Sequence, residues 1–317
     1  MVVSLLLIVI GFSGLIFGAN WLVDGASSLA KKYNIPDLVI GLTIVAFGTS
    51  APELVVNLVA SVDGLSDIVL ANIIGSNNFN LFIILGIAGL IYPISVQSTM
   101  VRREIPISLI ITIILFGLAN DFFTNQNSEI SRLDGIILLV SFICFLYYIF
   151  KQMKTEKIEV VPYTQKSNIK IWSLIIIGFS GLIIGGKLVV DNSIGIATDL
   201  GISQKIIGLT IIAAGTSLPE LITSIVAALK KNSDIAIGNV IGSNIFNILL
   251  ILSVSSLISP IKYNQIFNQD FAIFIGGTVF LMIATLTGKR KKLDRWEAAI
   301  LFGFYLVYTT YLVSKEL

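Results

Sequence analysis

Long apolar runs separated by short polar connections dominate the chain. Ten runs approach the length of about 20 residues that a helix needs to cross a bilayer. They are 3–23, 37–60, 68–93, 105–120, 134–150, 172–190, 206–229, 235–259, 270–287 and 297–313. Glycines, prolines and charged residues set their ends. The first run, Val2 to Ile16, has neither a basic segment before it nor a cleavage site after it, and reads as a span rather than a removable leader. The pattern predicts an all-α polytopic membrane protein with ten transmembrane helices.

The runs repeat. Gly41-Leu-Thr-Ile-Val-Ala-Phe-Gly-Thr-Ser-Ala-Pro-Glu53-Leu returns as Gly208-Leu-Thr-Ile-Ile-Ala-Ala-Gly-Thr-Ser-Leu-Pro-Glu220-Leu, shifted by 167 residues. The same shift maps Gly11-Phe-Ser-Gly onto Gly178-Phe-Ser-Gly, and Asn72-Ile-Ile-Gly-Ser-Asn-Asn-Phe-Asn80 onto Asn239-Val-Ile-Gly-Ser-Asn-Ile-Phe-Asn247. Residues 1–150 and 172–317 therefore read as two five-helix repeats, with motif regions 41–80 and 208–247, joined by a linker at 151–171.

Charge orients them. One set of alternate connections holds 16 Lys and Arg, including Lys31-Lys32, Arg102-Arg103, Lys151, Lys230-Lys231 and Lys289-Arg290-Lys291-Lys292; the other holds only Arg132, Lys205, Lys262 and Lys315. By the positive-inside rule both termini face outside and the linker faces the cytoplasm of a cell membrane. Five spans are an odd number, so the second repeat enters the bilayer inverted. Inverted repeats build many secondary transporters, whose ion sites lie near the midplane.

Composition narrows the chemistry. The chain is 55% hydrophobic and 13% charged, with mean hydropathy +0.92, against about 25% charged in soluble domains. It has no histidine, which removes His-based catalysis and most zinc sites. Cys144 is the one cysteine, so no intrachain disulfide forms. Without Gly-x-Ser-x-Gly or paired aspartates in the spans, an intramembrane enzyme is not expected. Net charge +2 argues neither for nor against nucleic acid, which is not an expected partner. The lipid bilayer is the expected partner; no protein partner is evident, and a monomer suffices.

A carboxylate inside an apolar run is expensive unless it has a function. Ala46, Thr49, Ser50 and Glu53 fall at i, i+3, i+4 and i+7 of a helix, as do Ala213, Thr216, Ser217 and Glu220. Ser76 and Asn80 are four apart, as are Ser243 and Asn247. All these groups offer oxygen, which suits hard cations such as Na⁺, Ca²⁺ and Mg²⁺. Two carboxylates balance one Ca²⁺, an adaptable shell of 6–8 oxygens fits it better than Mg²⁺, and Na⁺ is hard enough to share it. Pro52 and Pro219 deprive the carbonyls of Gly48 and Gly215 of a donor, so each helix should break there.

The remaining polar positions have plainer readings. Gly75-Ser76, Gly242-Ser243 and Gly178-Phe-Ser-Gly181 allow close helix approach. Asp24 and Asp191 read as cap or interface residues, Lys187 and Asp191 as an i,i+4 pair, and Asp67 and Asp234 as helix N-caps.

The strings Gly48-Thr-Ser-Ala-Pro-Glu53 with Gly75-Ser-Asn-Asn-Phe-Asn80, and Gly215-Thr-Ser-Leu-Pro-Glu220 with Gly242-Ser-Asn-Ile-Phe-Asn247, resemble the two α-repeats of the sodium/calcium exchanger family, within the cation/Ca²⁺ exchanger superfamily. The resemblance implies that Glu53 and Glu220 ligate Ca²⁺ and share in the Na⁺ sites. It implies that Thr49, Ser50, Ser76, Thr216, Ser217 and Ser243 lend hydroxyls or carbonyls, that Ala46 and Ala213 lend backbone oxygens, and that Asn80 and Asn247 complete the centre. It implies no resident cofactor; Ca²⁺ and Na⁺ are cargo. Potassium-dependent relatives carry aspartate where this chain has Asn247, which argues against K⁺ co-transport and removes a possible proton acceptor. The implied activity is Na⁺/Ca²⁺ antiport by alternating access, with H⁺/Ca²⁺ or K⁺-dependent Na⁺/Ca²⁺ exchange as the alternative. Spans 1 and 6, poor in polar groups, are expected to slide as the gate against the rest.

Overall fold

The computed structural model describes residues 2–120, 128–153, 166–200, 213–287 and 291–316. Most of the linker, residues 206–212 of the seventh expected span, Gly208, Lys205 and Lys289-Arg290 lie outside the described residues. Helical residues occupy each of the ten expected segments. Helix α1 is Val2–Tyr33. Helices α2 and α3, Asp37–Thr49 and Ala51–Val62, are one segment bent by 48°. Then come α4 (Ser66–Ile91), α5 (Ile105–Ala119), α6 (Arg132–Met153) and α7 (Asn168–Asp199). A second broken segment follows as α8 (Ala213–Thr216) and α9 (Leu218–Leu229). Helices α10 (Ser233–Ile258), α11 (Asn268–Thr287) and α12 (Arg295–Glu316) complete the order. Among the described residues six helices are long and apolar enough to cross a membrane, seven if the bent pair is one span.

Burial sorts the helices into layers. The most apolar stretch of α10 is 94% buried, whereas that of α1 is 22% buried. Helix α4 joins α10 at the centre, where Leu70, Ile73, Leu81 and Leu85 meet Ile237, Val240, Ile245 and Leu249. Helices α1, α6 and α7 lie at the rim and turn Val9, Ile10, Ile137, Val140, Ile176 and Ile184 outward. Such broad apolar exposure is stable against hydrocarbon, not against water.

Helices α1 and α7 pack as a pair through Leu15, Leu22, Ile175 and Leu182, in a cluster that also takes in Val45, Val226 and Ile235. Their backbones touch. A Cβ on Gly18 would lie 2.8 Å from the carbonyl oxygen of Gly178, and one on Gly185 would lie 2.6 Å from that of Gly11. Small residues at a membrane helix crossing permit this van der Waals contact. Gly242 makes a similar approach to Ala46 and Leu42; the residues that the repeat would bring to Gly75, Leu209 and the side chain of Ala213, lie outside the described residues.

The chain is not purely helical. Strand β1 (Ile94–Ser95) pairs antiparallel with β4 (Lys292–Leu293), and β2 (Glu129–Ile130) with β3 (Ile261–Lys262). Both ladders stitch the first half to the second. Two-residue strands carry no periodicity that a sequence could display.

Three expectations about helix ends need correction. Asp24 and Asp191 lie inside α1 and α7, which continue to Tyr33 and Asp199, so neither is a cap, while Asp24 is an interface residue paired with Lys230 at 2.8 Å. Asp67 and Asp234 lie in first turns rather than at N-caps. Asn232 caps α10 instead, accepting from the amide of Ile235 at 3.1 Å. The side chains of Lys187 and Asp191 are both exposed and do not pair.

Candidate ion-binding site

The break in each interrupted segment falls at a serine, one turn before the glutamate. Ser50 separates α2 from α3 with φ −82° and ψ 9°, and Ser217 separates α8 from α9 with φ −88° and ψ 7°. The sequence placed the breaks near Gly48 and Gly215. Pro52 and Pro219 instead sit in the opening turns of α3 and α9, where a missing N–H costs nothing. Glu53 and Glu220 stand in those same first turns, so each carboxylate sits at the positive end of a helix dipole.

Both glutamates are 1% exposed. Their hydroxyl donors come from both halves of the chain. Ser50 Oγ donates to Glu220 Oε1 at 2.9 Å, and Ser217 Oγ donates to Glu53 Oε1 at 3.1 Å. Ser76 and Ser243 add longer bonds within their own halves, at 3.5 Å to Glu53 Oε1 and 3.4 Å to Glu220 Oε1.

The asparagines are held in the same crossed way. Asn80 Nδ2 donates to Asn244 Oδ1 at 3.1 Å, and Asn247 Nδ2 donates to Asn77 Oδ1 at 2.9 Å. Asn80 and Asn247 occur in π-helical turns, Phe79–Ile84 and Asn247–Ile251. A π-turn inserts an extra residue and re-aims the side chains beside it, often at functional sites. Four buried oxygens, Glu53 Oε2, Glu220 Oε2, Asn80 Oδ1 and Asn247 Oδ1, accept no hydrogen bond among the described residues. A buried acceptor without a partner costs about 1–3 kcal/mol, more when charged. Here four such costs fall at matched positions of the two halves.

The threonines stand one step back. Thr49 Oγ1 donates to Asn239 Oδ1 at 3.0 Å and to the Ala46 carbonyl at 3.3 Å, and Thr216 Oγ1 donates to Asn72 Oδ1 at 3.3 Å. The Ala46 carbonyl also accepts the Ser50 amide at 3.0 Å. Ala213 opens α8, and its side chain is outside the described residues. Six of the twelve candidate side chains, the two glutamates and the four serines, are thus joined directly by hydrogen bonds; Thr49, Thr216, Asn80 and Asn247 are tied to flanking asparagines instead, and Ala46 takes part through its carbonyl.

Asn72, Asn77, Asn239 and Asn244 were not singled out by spacing, yet they orient the rest. Asn239 Nδ2 also reaches the Glu220 carbonyl at 3.3 Å and Ser224 Oγ at 3.0 Å. The signal was present, since Asn72 lies four residues before Ser76, on the face that Asn80 continues.

Crossed serine–glutamate bonds and unpartnered oxygens inside a bundle of apolar helices define a helical membrane protein with a buried, paired cluster of oxygen donors. The chain matches the model of the family described as sodium/calcium exchanger protein over residues 3–151 and 170–314. It is 36% identical to the putative antiporter CaxA of Alkalimonas amylolytica, over 99% of this chain and 100% of that protein. It is 32% identical to the sodium/calcium exchanger MaX1 of Methanosarcina acetivorans, over 96% and 97% of the two chains. Among solved structures it resembles the sodium-calcium exchanger NCX_Mj soaked with Na⁺ and Sr²⁺, with TM-score 0.85 and 31% identity, covering 98% of each chain. The chain belongs to the sodium/calcium exchanger protein family.

Proposed function

We propose that the chain is a secondary antiporter that exchanges Na⁺ for Ca²⁺ by alternating access. The four unpartnered oxygens carry this reading: two anionic and two amide, all buried, and contributed equally by the two halves. Their charge balances one Ca²⁺, and hydroxyl and backbone oxygens beside them can complete its shell. Glu53, Glu220, Asn80 and Asn247 are the central ligands of the transported ions; Ser50, Ser217, Ser76 and Ser243 lend hydroxyls. Thr49, Thr216 and the carbonyls of Ala46 and Ala213 extend the seat for Na⁺. Because both ions use the same carboxylates, each displaces the other. An unloaded seat holds two carboxylates in low dielectric, which disfavours crossing without cargo.

The architecture follows the same reading: ten spans in two inverted repeats, 1–150 and 172–317, a cytoplasmic linker at 151–171, and both termini outside the cell membrane. Exchange is electrogenic if more than two Na⁺ replace one Ca²⁺, and the Na⁺ gradient then drives Ca²⁺ out. Helices α1 and α7 move together past the remaining bundle.

The test is calcium uptake into vesicles containing the purified protein, driven in turn by outward Na⁺, H⁺ or K⁺ gradients. Uptake should require internal Na⁺ and be enhanced by an inside-positive potential. Uptake driven equally well by protons, or dependent on added K⁺, would replace this reading with one of its alternatives.

A further inference from the structure

The α1–α7 unit is seated unevenly. Helix α1 lies along α9, but α7 makes no comparable contact with α3, its counterpart in the other half. The rings of the Gly-Phe-Ser-Gly repeat differ in the same sense. Phe179 covers Gly48, where a Cβ would fall 1.8 Å from the ring, whereas Phe12 is 39% exposed and Gly215 meets Val190 instead.

The ends of α9 and α3 differ likewise. Just beyond α9, Lys230 Nζ donates to Asp24 Oδ1 at 2.8 Å and to the Asn20 carbonyl at 3.0 Å. Asn232 Nδ2 donates to Ser27 Oγ at 3.2 Å. Asn20, Asp24 and Ser27 line one face of α1, so this end is clasped. The shift of 167 residues carries Lys230 to Asp63, Asn20 to Lys187, Asp24 to Asp191 and Ser27 to Ile194. Asp63 and Lys187 are both exposed, and neither makes an ion pair with a described residue. A lysine within an apolar helix is costly without a partner, and Asp191, one turn away, does not serve as one.

We propose that Lys187 is the partner of Asp63 in the opposite conformation. As the α1–α7 unit slides, the Lys230–Asp24 pair that closes one end opens, and an Asp63–Lys187 pair closes the other. Under the repeat, the contact of Lys230 with Asn20 becomes a contact of Asp63 with Lys187, one turn from the position that matches Asp24, so the signs are exchanged: lysine on the core and acid on the moving helix at one end, the reverse at the other. The inference rests on the alternating-access reading above. Exposed pairs shift a two-state equilibrium only a few-fold, enough to hold either end without locking it.

Disulfide trapping tests this in a Cys144→Ser background, because Cys144 is the chain's one cysteine and is exposed. D24C/K230C should cross-link readily and halt calcium flux until reduced. D63C/K187C should cross-link during Na⁺/Ca²⁺ exchange and also halt flux. Adding Lys230→Gln should speed that second cross-link about two- to fivefold. If cross-linked D24C/K230C exchanged calcium at full rate, the sliding unit itself would be wrong. If that protein were arrested but D63C/K187C never cross-linked during exchange, sliding would stand and the partner assigned to Lys187 would be wrong. A D63K/K187D exchange of charges should restore flux lost in Lys187→Glu alone; no recovery would also overturn the pairing.

Discussion

Ser217 reaches across the molecule to place its hydroxyl 3.1 Å from Glu53 Oε1. Its counterpart Ser50 does the same for Glu220 at 2.9 Å. Each half therefore supplies the donor that fixes the other half's carboxylate, and neither half builds a finished seat alone.

Replacing one charge should remove the seat's affinity for a divalent ion. Glu53→Gln and Glu220→Gln keep shape and leave one carboxylate for two positive charges. Calcium affinity, measured by titration calorimetry of the purified protein, should fall at least about a hundredfold, or about 3 kcal/mol. Near-normal affinity in either variant would refute the assignment of that glutamate.

The crossed serines should be equivalent. Each gives one hydrogen bond to a charged group, worth about 1.5–3 kcal/mol. Ser50→Ala and Ser217→Ala should each weaken calcium binding about tenfold or more, by similar factors. A loss confined to one of them would show that the carboxylates do not share one ion equally.

The asparagine braces should act on binding through orientation. Asn77→Ala or Asn244→Ala leaves the amide of Asn247 or Asn80 without its acceptor. Each should lower stability by about 1–3 kcal/mol and weaken calcium binding with both glutamates intact. Thermal unfolding in detergent, with and without calcium, would measure both effects. An unchanged calcium-induced shift in Tm would remove the orienting role.

The helix pair at the rim should govern rate more than affinity. Gly18→Val adds atoms where a Cβ alone would lie 2.8 Å from the Gly178 carbonyl oxygen and 2.9 Å from the Leu182 amide nitrogen, both backbone groups that cannot turn aside. Exchange should slow at least about tenfold while calcium affinity in detergent changes much less. Equal losses in both would mean that the pair supports the seat itself.

Orientation is open to direct labelling. In a Cys144→Ser background, a maleimide that cannot cross membranes should label S4C and S314C on intact cells but not K31C. Labelling of K31C alone would invert the topology.

Much of this was legible in the chain. Glu53 and Glu220 announced themselves as acids in apolar runs, and the shift of 167 residues matched every helix of the central motifs. The threonine and serine positions followed from helical spacing. Asn77 and Asn244 did not, because their role depends on which face of α4 meets which face of α10. The break at Ser50 was missed by two residues, since a proline's effect depends on whether it enters a helix or opens one.

The sequence alone determined which groups are available and that they come in pairs, because burial cost and periodicity act along the chain. A repeat, however, describes both halves alike. Only the tertiary structure decided that serines cross to the opposing glutamates, that Glu53 Oε2, Glu220 Oε2, Asn80 Oδ1 and Asn247 Oδ1 find no donor among the described residues, and that α1 is clasped by Lys230 while Lys187 pairs with no described acid. Those outcomes depend on packing between residues far apart in the chain, where two halves that share their central motifs settle into unequal arrangements.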